Sequence, residues 1–126
     1  MDEKACLFCN LPKERVLLEN SVGVVIRDAF PVSPGHTLII PHKHYPDFFA
    51  VPENERHQLL TLLDQAKSEL DQAMAPQGYN IGVNCGLVAG QTVHHLHIHL
   101  IPRYQGDQED PRGGVRKIFA DRARYW

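Results

Sequence analysis

The sequence contains few cysteines, no long apolar run and little net charge, and each shortage excludes a class of protein. Only three cysteines occur among 126 residues, so a secreted scaffold held together by disulfides is not expected. No apolar run approaches the ~20 residues needed to cross a bilayer, and the acidic start MDEKA does not resemble a secretory signal. We therefore predict a cytoplasmic protein without membrane contact.

The charge balance also argues against a nucleic-acid partner. The formal net charge is −2, so no overall field attracts a polyanion. The length of 126 residues predicts a single domain over residues 1–126. From Arg103 onward, six basic residues stand against four acidic ones. We interpret this tail as solvated surface; the alternative is a clamp in which Arg103, Arg112 and Arg116 bind distal phosphates.

The pattern of apolar residues predicts the fold. Five short segments rich in apolar and β-branched residues are bounded by turn formers and predict strands over residues 16–20, 22–28, 36–41, 79–86 and 93–101, the last ended by Pro102. Over residues 53–75, apolar residues recur at steps of three and four, which predicts one long helix. Its apolar face comprises Leu59, Leu60, Leu62, Leu63, Ala66, Leu70, Ala73 and Met74.

Strands and a single long helix in this order predict the α+β class, with an antiparallel sheet of about five strands and the helix on one face. One helix cannot cover both faces of such a sheet. We therefore expect the other face to be partly open, so that a ligand or a partner subunit covers it. Near the end of the chain, VRKIF suggests a short strand or an extended arm.

The run HHLHIHLIPRY places His95, His97 and His99 at every second position. In a strand these three side chains share one face, and the apolar residues between them share the other. The outer two histidines are then ~13 Å apart, which leaves little slack for both to reach one ion, so three histidines in line make a poor metal site. The row better suits a nucleophile or base flanked by groups that orient it and handle protons.

A second cluster of chemical interest is Cys6-x-x-Cys9, which has the spacing of a metal site. Two cysteines supply half of the four ligands that a structural zinc ion needs. Two free thiols or a redox pair are the alternatives. Cys85 stands apart from the pair, and we interpret it as a plain buried thiol.

Several segments together resemble the histidine triad family. HLHIHLI matches the pattern that names the family, GHTLIIPHKHY is similar to its preceding strand and loop, and CLFC is similar to its N-terminal element. The resemblance extends from Cys6 to Tyr104. The closing DPRGGVRKIF resembles bacterial and archaeal members labelled diadenosine tetraphosphate hydrolases.

The resemblance implies a nucleotide hydrolase or transferase acting through a covalent nucleotidyl-histidine. The implied nucleophile is His97, which attacks an α-phosphate, while His99 and Gln91 assist at the scissile phosphate. Substrates implied by the family are purine nucleotides, phosphoramidates and dinucleoside polyphosphates. The implied substrate-binding residues are Asp28, Asn84, Gln91, Thr92 and His99.

The resemblance also implies a structural zinc ion, with Cys6, Cys9, His44 and His95 as its ligands and His42 as a rival to His44. It further implies a homodimer in which two sheets join edge to edge. Three other functions stay open at this point: a nucleotide-binding module with weak catalysis, a nucleotidyl transferase or phosphorylase, and a zinc-dependent hydrolase that uses the three histidines as ligands.

Overall fold

Five short strands and one long helix form the body of the computed structural model, which describes residues 3–126. All neighbouring strands are antiparallel, in the order β1-β2-β3-β5-β4. The predicted α+β class and the five-stranded antiparallel sheet are confirmed. The elements are β1 (Leu18–Glu19), β2 (Gly23–Arg27), β3 (Thr37–Pro41), α1 (Glu53–Met74), β4 (Gly78–Gly82) and β5 (Ile98–Arg103).

The helix α1 packs on the sheet through a narrower face than the sequence predicts. It follows Pro52 and ends at Ala75, whose φ of 49° is left-handed and stops the helix. Leu60 and Met74 are 44% and 40% exposed, and Ala73 is exposed as well, so the predicted place of these three residues in the core is wrong. Within residues 3–126, no helix is long and apolar enough to span a membrane. The buried residues of α1 are Leu59, Leu62, Ala66 and Leu70.

The two faces of the sheet carry separate apolar clusters. Alternation along β2, β3 and β5 places Val25, Ile39 and Ile98 against α1. The opposite face buries Val24, Ile26, Leu38 and Ile40. This second cluster is covered by the N-terminal segment, through Phe8, Leu11 and Val16. The face that we expected to be open is therefore partly closed by the chain itself.

Every predicted strand boundary shifts by at least one residue except the end of β3, and the largest differences lie in β4 and β5. β5 begins at Ile98 rather than at residue 93, because the chain bends at His95 and the Leu96 N–H bonds to the Tyr45 carbonyl. β5 also continues through Pro102. β3 begins at Thr37, opposite Leu100, so Pro102 pairs with β4 only, and a residue without an N–H is tolerated where a strand has one neighbour. β4 covers residues 78–82 instead of 79–86.

The C-terminal segment is helical rather than extended. Gly114–Arg122 forms two short 3₁₀ turns separated at Phe119, so the prediction of a strand or arm there is wrong. Two positive-φ glycines, Gly113 and Gly114, open this segment and favour a tight turn over a strand.

Candidate functional site

The imidazole of His97 is fixed in one tautomer by the main chain. Its Nδ1 lies 2.9 Å from the carbonyl oxygen of His95. Because a carbonyl only accepts hydrogen bonds, Nδ1 carries the proton and Nε2 keeps its lone pair. A neutral imidazole with a free Nε2 is a competent nucleophile.

His97 lines a cavity of about 420 Å³ on the sheet face opposite α1. Several walls are apolar, among them Leu7, Phe30 and Val32. This size and mixture of apolar walls with a few polar groups is typical of a small-molecule site. The cavity brings together five residues singled out in the sequence, Asp28, Asn84, Thr92, His97 and His99, and adds two that were not, Arg15 and His36.

His36 lies between His99, to which it donates a hydrogen bond, and the carboxylate of Asp28. The Nδ1 of His36 accepts from the Val32 N–H at 3.1 Å, so the His36 proton is on Nε2. That Nε2 lies 2.9 Å from Nδ1 of His99 and 3.4 Å from Oδ2 of Asp28. Nδ1 of His99 therefore accepts, and its proton is on Nε2.

The same three residues lie close enough together to suggest a metal site, but the ring geometry is that of a hydrogen bond. The centroids of the His36 and His99 rings are 5.2 Å apart, close to the largest separation that their 2.9 Å N–N distance allows. The two nitrogens thus face each other along the line between the rings. Lone pairs that bind a metal converge on a third point instead.

Burial keeps both of these histidines neutral. Desolvation, followed by the neighbouring imidazoles of His97 and His36, lowers the pKa of His99 to about 4. Desolvation also lowers the pKa of His36 and outweighs the opposing effect of the Asp28 carboxylate. His99 is therefore suited to donate a hydrogen bond from Nε2 while carrying no net charge.

This pKa shift predicts a pH dependence of stability. An unfolded histidine takes up its proton near pH ~6.5, whereas folded His99 does so near pH 4. Between these values the unfolded chain binds more protons, so stability rises with pH and is lost as the pH falls from 6.5 to 4. We expect the melting temperature of His99→Gln to fall less between pH 7 and pH 5 than that of the wild type.

The wild type and His99→Gln share every other histidine and the Cys/His cluster described below. The difference between their changes in melting temperature therefore reports on His99. Thermal melts followed by circular dichroism at closely spaced pH values give the two curves. Parallel curves for the wild type and His99→Gln would contradict the assignment of this stability loss to His99.

Gln91 is placed differently from the other predicted residues. Its side chain is buried, and Nε2 donates to the carbonyls of Pro46 at 2.6 Å and Val93 at 3.1 Å. Oε1 accepts from the Gly86 N–H at 2.8 Å. Both amide hydrogens and the oxygen thus bond to backbone, and Gln91 ties three loop segments together beside the cavity.

Cys6, Cys9, His44 and His95 form a compact cluster of four donor atoms. The Cys9 Sγ lies 3.2 Å from the His44 Nδ1 and 3.4 Å from the His95 Nδ1, and these two nitrogens are 3.1 Å apart. The Cys6 Sγ is 3.4 Å from the same His95 nitrogen. Zinc bonds of ~2.1 and ~2.3 Å at tetrahedral angles separate such donors by roughly 3.3–3.8 Å.

The surroundings of this cluster also suit zinc. Nε2 of His95 donates to the Pro41 carbonyl at 2.8 Å, which leaves Nδ1 free to bind a metal. Desolvation and the hydrogen bond with Cys6 raise the pKa of Cys9 to about 11, so a cation is needed to hold Cys9 as a thiolate at neutral pH. His42, the rival ligand, is exposed and interacts with Asn20 and Glu19.

The arginines of the C-terminal segment pair within that segment and its surroundings. Arg103 makes a two-pronged bond with Asp107 and a third bond to Asn80. Arg112 pairs with Asp110 and lies over Trp126. Arg116 donates to backbone carbonyls and lies over the Tyr125 ring. None of the three lines the 420 Å³ cavity.

Sequence reasoning missed His36, although a signal was present. The histidine opens a predicted strand in GHTLII, where a polar ring directly before a buried apolar run needs a partner. The partner is supplied by the pairing of β3 with β5, in which Leu38 stands opposite His99. That register is a property of the folded sheet and is not readable from either segment alone.

The profile of the HIT domain matches residues 11–106. An uncharacterized HIT-like protein of Saccharolobus solfataricus is 33% identical over 95% of this chain and 89% of its own length. Adenosine 5′-monophosphoramidase of Schizosaccharomyces pombe is 30% identical over 79% of this chain and 74% of its own length. The asymmetrical bis(5′-nucleosyl)-tetraphosphatase of the same yeast is 35% identical over 82% of this chain and 58% of its own length.

Solved structures agree with these relatives. A histidine triad nucleotide-binding protein of Sulfolobus tokodaii superposes with a TM-score of 0.76, at 32% identity, over 83% of this chain and 73% of that one. A zinc-bound histidine triad family protein of Mycobacterium smegmatis has a TM-score of 0.74, at 28% identity, over 94% of both chains. The HIT domain profile covers residues 11–106, and a relative aligns over 95% of the chain. The chain therefore belongs to the HIT domain family.

Proposed function

We propose that this protein is a nucleotide hydrolase that cleaves at the α-phosphate of nucleoside phosphates, phosphoramidates or dinucleoside polyphosphates. The observation that carries the proposal is the tautomer of His97, which keeps an Nε2 lone pair on a residue that lines a nucleotide-sized cavity. Relatives named as a monophosphoramidase and as a tetraphosphatase support the same substrate class.

In the first step Nε2 of His97 attacks phosphorus. An N–P bond forms while the bond from phosphorus to the leaving group breaks. A leaving polyphosphate departs as an anion without needing a proton, whereas the nitrogen of a phosphoramidate takes up a proton from solvent and departs as the neutral amine. The ring gains positive charge, which the bond from Nδ1 to the His95 carbonyl stabilises. The Nε2–H of neutral His99 donates to a non-bridging phosphate oxygen.

In the second step water attacks the same phosphorus. The N–P bond breaks, a nucleoside monophosphate is released, and one proton of the water passes to solvent. Splitting one displacement into two lowers each barrier. Phosphate or another acceptor in place of water would turn the same site into that of a phosphorylase or transferase.

The remaining polar residues of the cavity hold the substrate. The Asp28 carboxylate accepts from ribose hydroxyls, and the amide of Asn84 and the hydroxyl of Thr92 donate to phosphate oxygens. Gln91 supports the site indirectly, because its three hydrogen bonds to the backbone hold the loop that carries Thr92. Apolar side chains such as Leu7 and Phe30 contact the base.

Zinc would be bound by Cys6, Cys9, His44 and His95, and the chemistry it supplies there is a crosslink between the N-terminal segment and the sheet. No step of the reaction passes through it.

The family resemblance also supports a homodimer with sheets joined at β4, which is an edge strand with Ile81 52% exposed. Light scattering in solution tests that assembly.

Steady-state kinetics on diadenosine tetraphosphate beside adenosine 5′-phosphoramidate test the proposal. We expect release of adenosine monophosphate from at least one of them. Tight binding with no turnover of either would favour a binding module. A zinc-dependent hydrolase would lose all activity on brief chelation, whereas here the protein that stays folded is expected to keep forming the nucleotidyl adduct.

A further inference from the structure

The aromatic ring of Phe8 links two sites that the sequence treats separately. Phe8 stands between Cys6 and Cys9 in the N-terminal turn. Its ring centroid lies 5.0 Å from that of His97, with 64° between the planes, and 6.0 Å from that of His95, with 84° between the planes. Both are edge contacts of the kind that aromatic rings favour.

These contacts restrict the rotation of the nucleophile. Among residues 3–126, the ring of His97 has one hydrogen bond to the main chain, at Nδ1. Rotation about its outer side-chain bond would break that bond and turn Nε2 away. Two ring contacts oppose this rotation. One is with Phe8, and the other is with His99, whose ring centroid lies 5.1 Å from that of His97. A nucleophile must be held close to its attack geometry, since small misplacements cost large factors in rate.

Phe8 is in turn held from two directions. Its side chain packs on the apolar cluster of Val24, Ile26, Leu38 and Ile40. Its backbone is held by the two cysteines on either side, both of which belong to the four-residue cluster. Asn10 closes the same turn by donating to the carbonyl of Cys6 at 2.7 Å. The turn that carries the Phe8 ring is therefore the same turn that supplies two of the four donors of the cluster.

We propose that Phe8 is a positioning residue for His97 and that it makes the rate of nucleotidyl transfer depend on occupancy of the Cys6/Cys9/His44/His95 cluster. The inference rests on the proposed function. Metal at the cluster acts at a distance, by fixing the turn that presents Phe8, and does not touch the substrate.

The test follows formation of the adenylyl adduct of His97 from adenosine 5′-phosphoramidate in a single turnover, with zinc content measured on every sample. Phe8→Leu, which keeps an apolar side chain but removes the ring, is expected to keep its zinc and to form the adduct about 10-fold more slowly at saturating substrate. Phe8→Tyr, which keeps the ring edge, is expected to recover most of that rate.

Leu11→Ala is the matched control. Leu11 packs on the same apolar cluster but does not line the cavity, so its truncation is expected to leave the adduct rate at the wild-type value. A Leu11→Ala protein slowed as much as Phe8→Leu would show that general packing is responsible and would overturn the assignment to the ring.

A readout independent of turnover is the ¹⁵N spectrum of the histidine side chains in the zinc-loaded protein. Wild-type His97 is expected as the pure Nδ1–H form, whereas Phe8→Leu is expected to show a mixture of tautomers. An unchanged His97 signal together with a wild-type adduct rate in Phe8→Leu would overturn the inference.

Removal of zinc tests the link without any substitution. In the wild type it is expected to slow adduct formation by about the same factor as Phe8→Leu, and in Phe8→Leu it is expected to add little. Equal slowing of both proteins would overturn the coupling through Phe8. If the zinc-loaded wild type forms no adduct at all, the proposed function itself fails, and that outcome is distinct from the others.

Discussion

His97→Ala is expected to lower turnover by about 10⁴-fold or more while nucleotide affinity stays within a few-fold of the wild type. The substitution removes the Nε2 lone pair that attacks phosphorus, but it leaves Asp28, Asn84 and Thr92 on the cavity wall. The loss should therefore appear in kcat rather than in binding. Product release measured over long times and calorimetric titration of adenosine monophosphate give the two quantities.

His94→Ala is the matched control, because His94 is the neighbouring histidine of the run and does not line the cavity. It is expected to retain turnover. Acid-free quenching followed by intact-mass measurement should reveal one added nucleotidyl group on the wild type and none on His97→Ala. Turnover that persists in His97→Ala at the wild-type rate is incompatible with the covalent route.

Cys6→Ala is expected to lose about one zinc ion per chain and to melt at least ~10 °C below the wild type. Cys6 is 1% exposed and His95 is fully buried, so loss of the metal leaves buried donors without the cation that holds them together. It also frees the N-terminal segment that covers the second apolar cluster. Metal analysis by mass spectrometry and thermal melts give both results.

Cys85→Ala serves as the comparison, since Cys85 is a free thiol outside the four-residue cluster, half-buried rather than buried as predicted. Its zinc content and melting temperature are expected to match the wild type. His42→Ala should also keep the metal, because the ring of His42 interacts with Asn20 and Glu19 instead. Untagged protein purified without chelators that contains no transition metal would contradict the zinc assignment.

Local patterns were enough to predict the fold class. Asp28, Asn84 and Thr92, which line the cavity beside His97 and His99, were implied by the family resemblance and not by any local pattern. The alternation in β5 and the helical period of α1 both arise from burial on one side, which the order of residues records directly. β2 and β3 are buried on both faces, and their continuous apolar runs record that instead. Boundaries were less predictable. The strand predicted from residue 93 starts at Ile98, because the chain bends to bring the His95 ring to Cys6 and Cys9.

The parts of the site that could not be predicted depend on contacts between distant segments. His36 meets His99 only because β3 pairs with β5 in one register. Gln91 reaches the Pro46 carbonyl across 45 positions of sequence, and no local pattern reveals that this amide serves the backbone. Phe8 contacts His97 because the N-terminal turn folds over the sheet.

One residue, His95, is divided between the two sites: its ring belongs to the metal cluster and its carbonyl to the nucleophile. A peptide carbonyl is present whatever side chain a position carries. In evolutionary terms, a descendant of this chain could exchange the ring at position 95 and lose the metal, yet inherit the acceptor that sets the tautomer of His97. The tautomer of His97 is thus set by the main chain and does not depend on the side chain at position 95. A mutation at the metal site would change only how firmly the His97 ring is held.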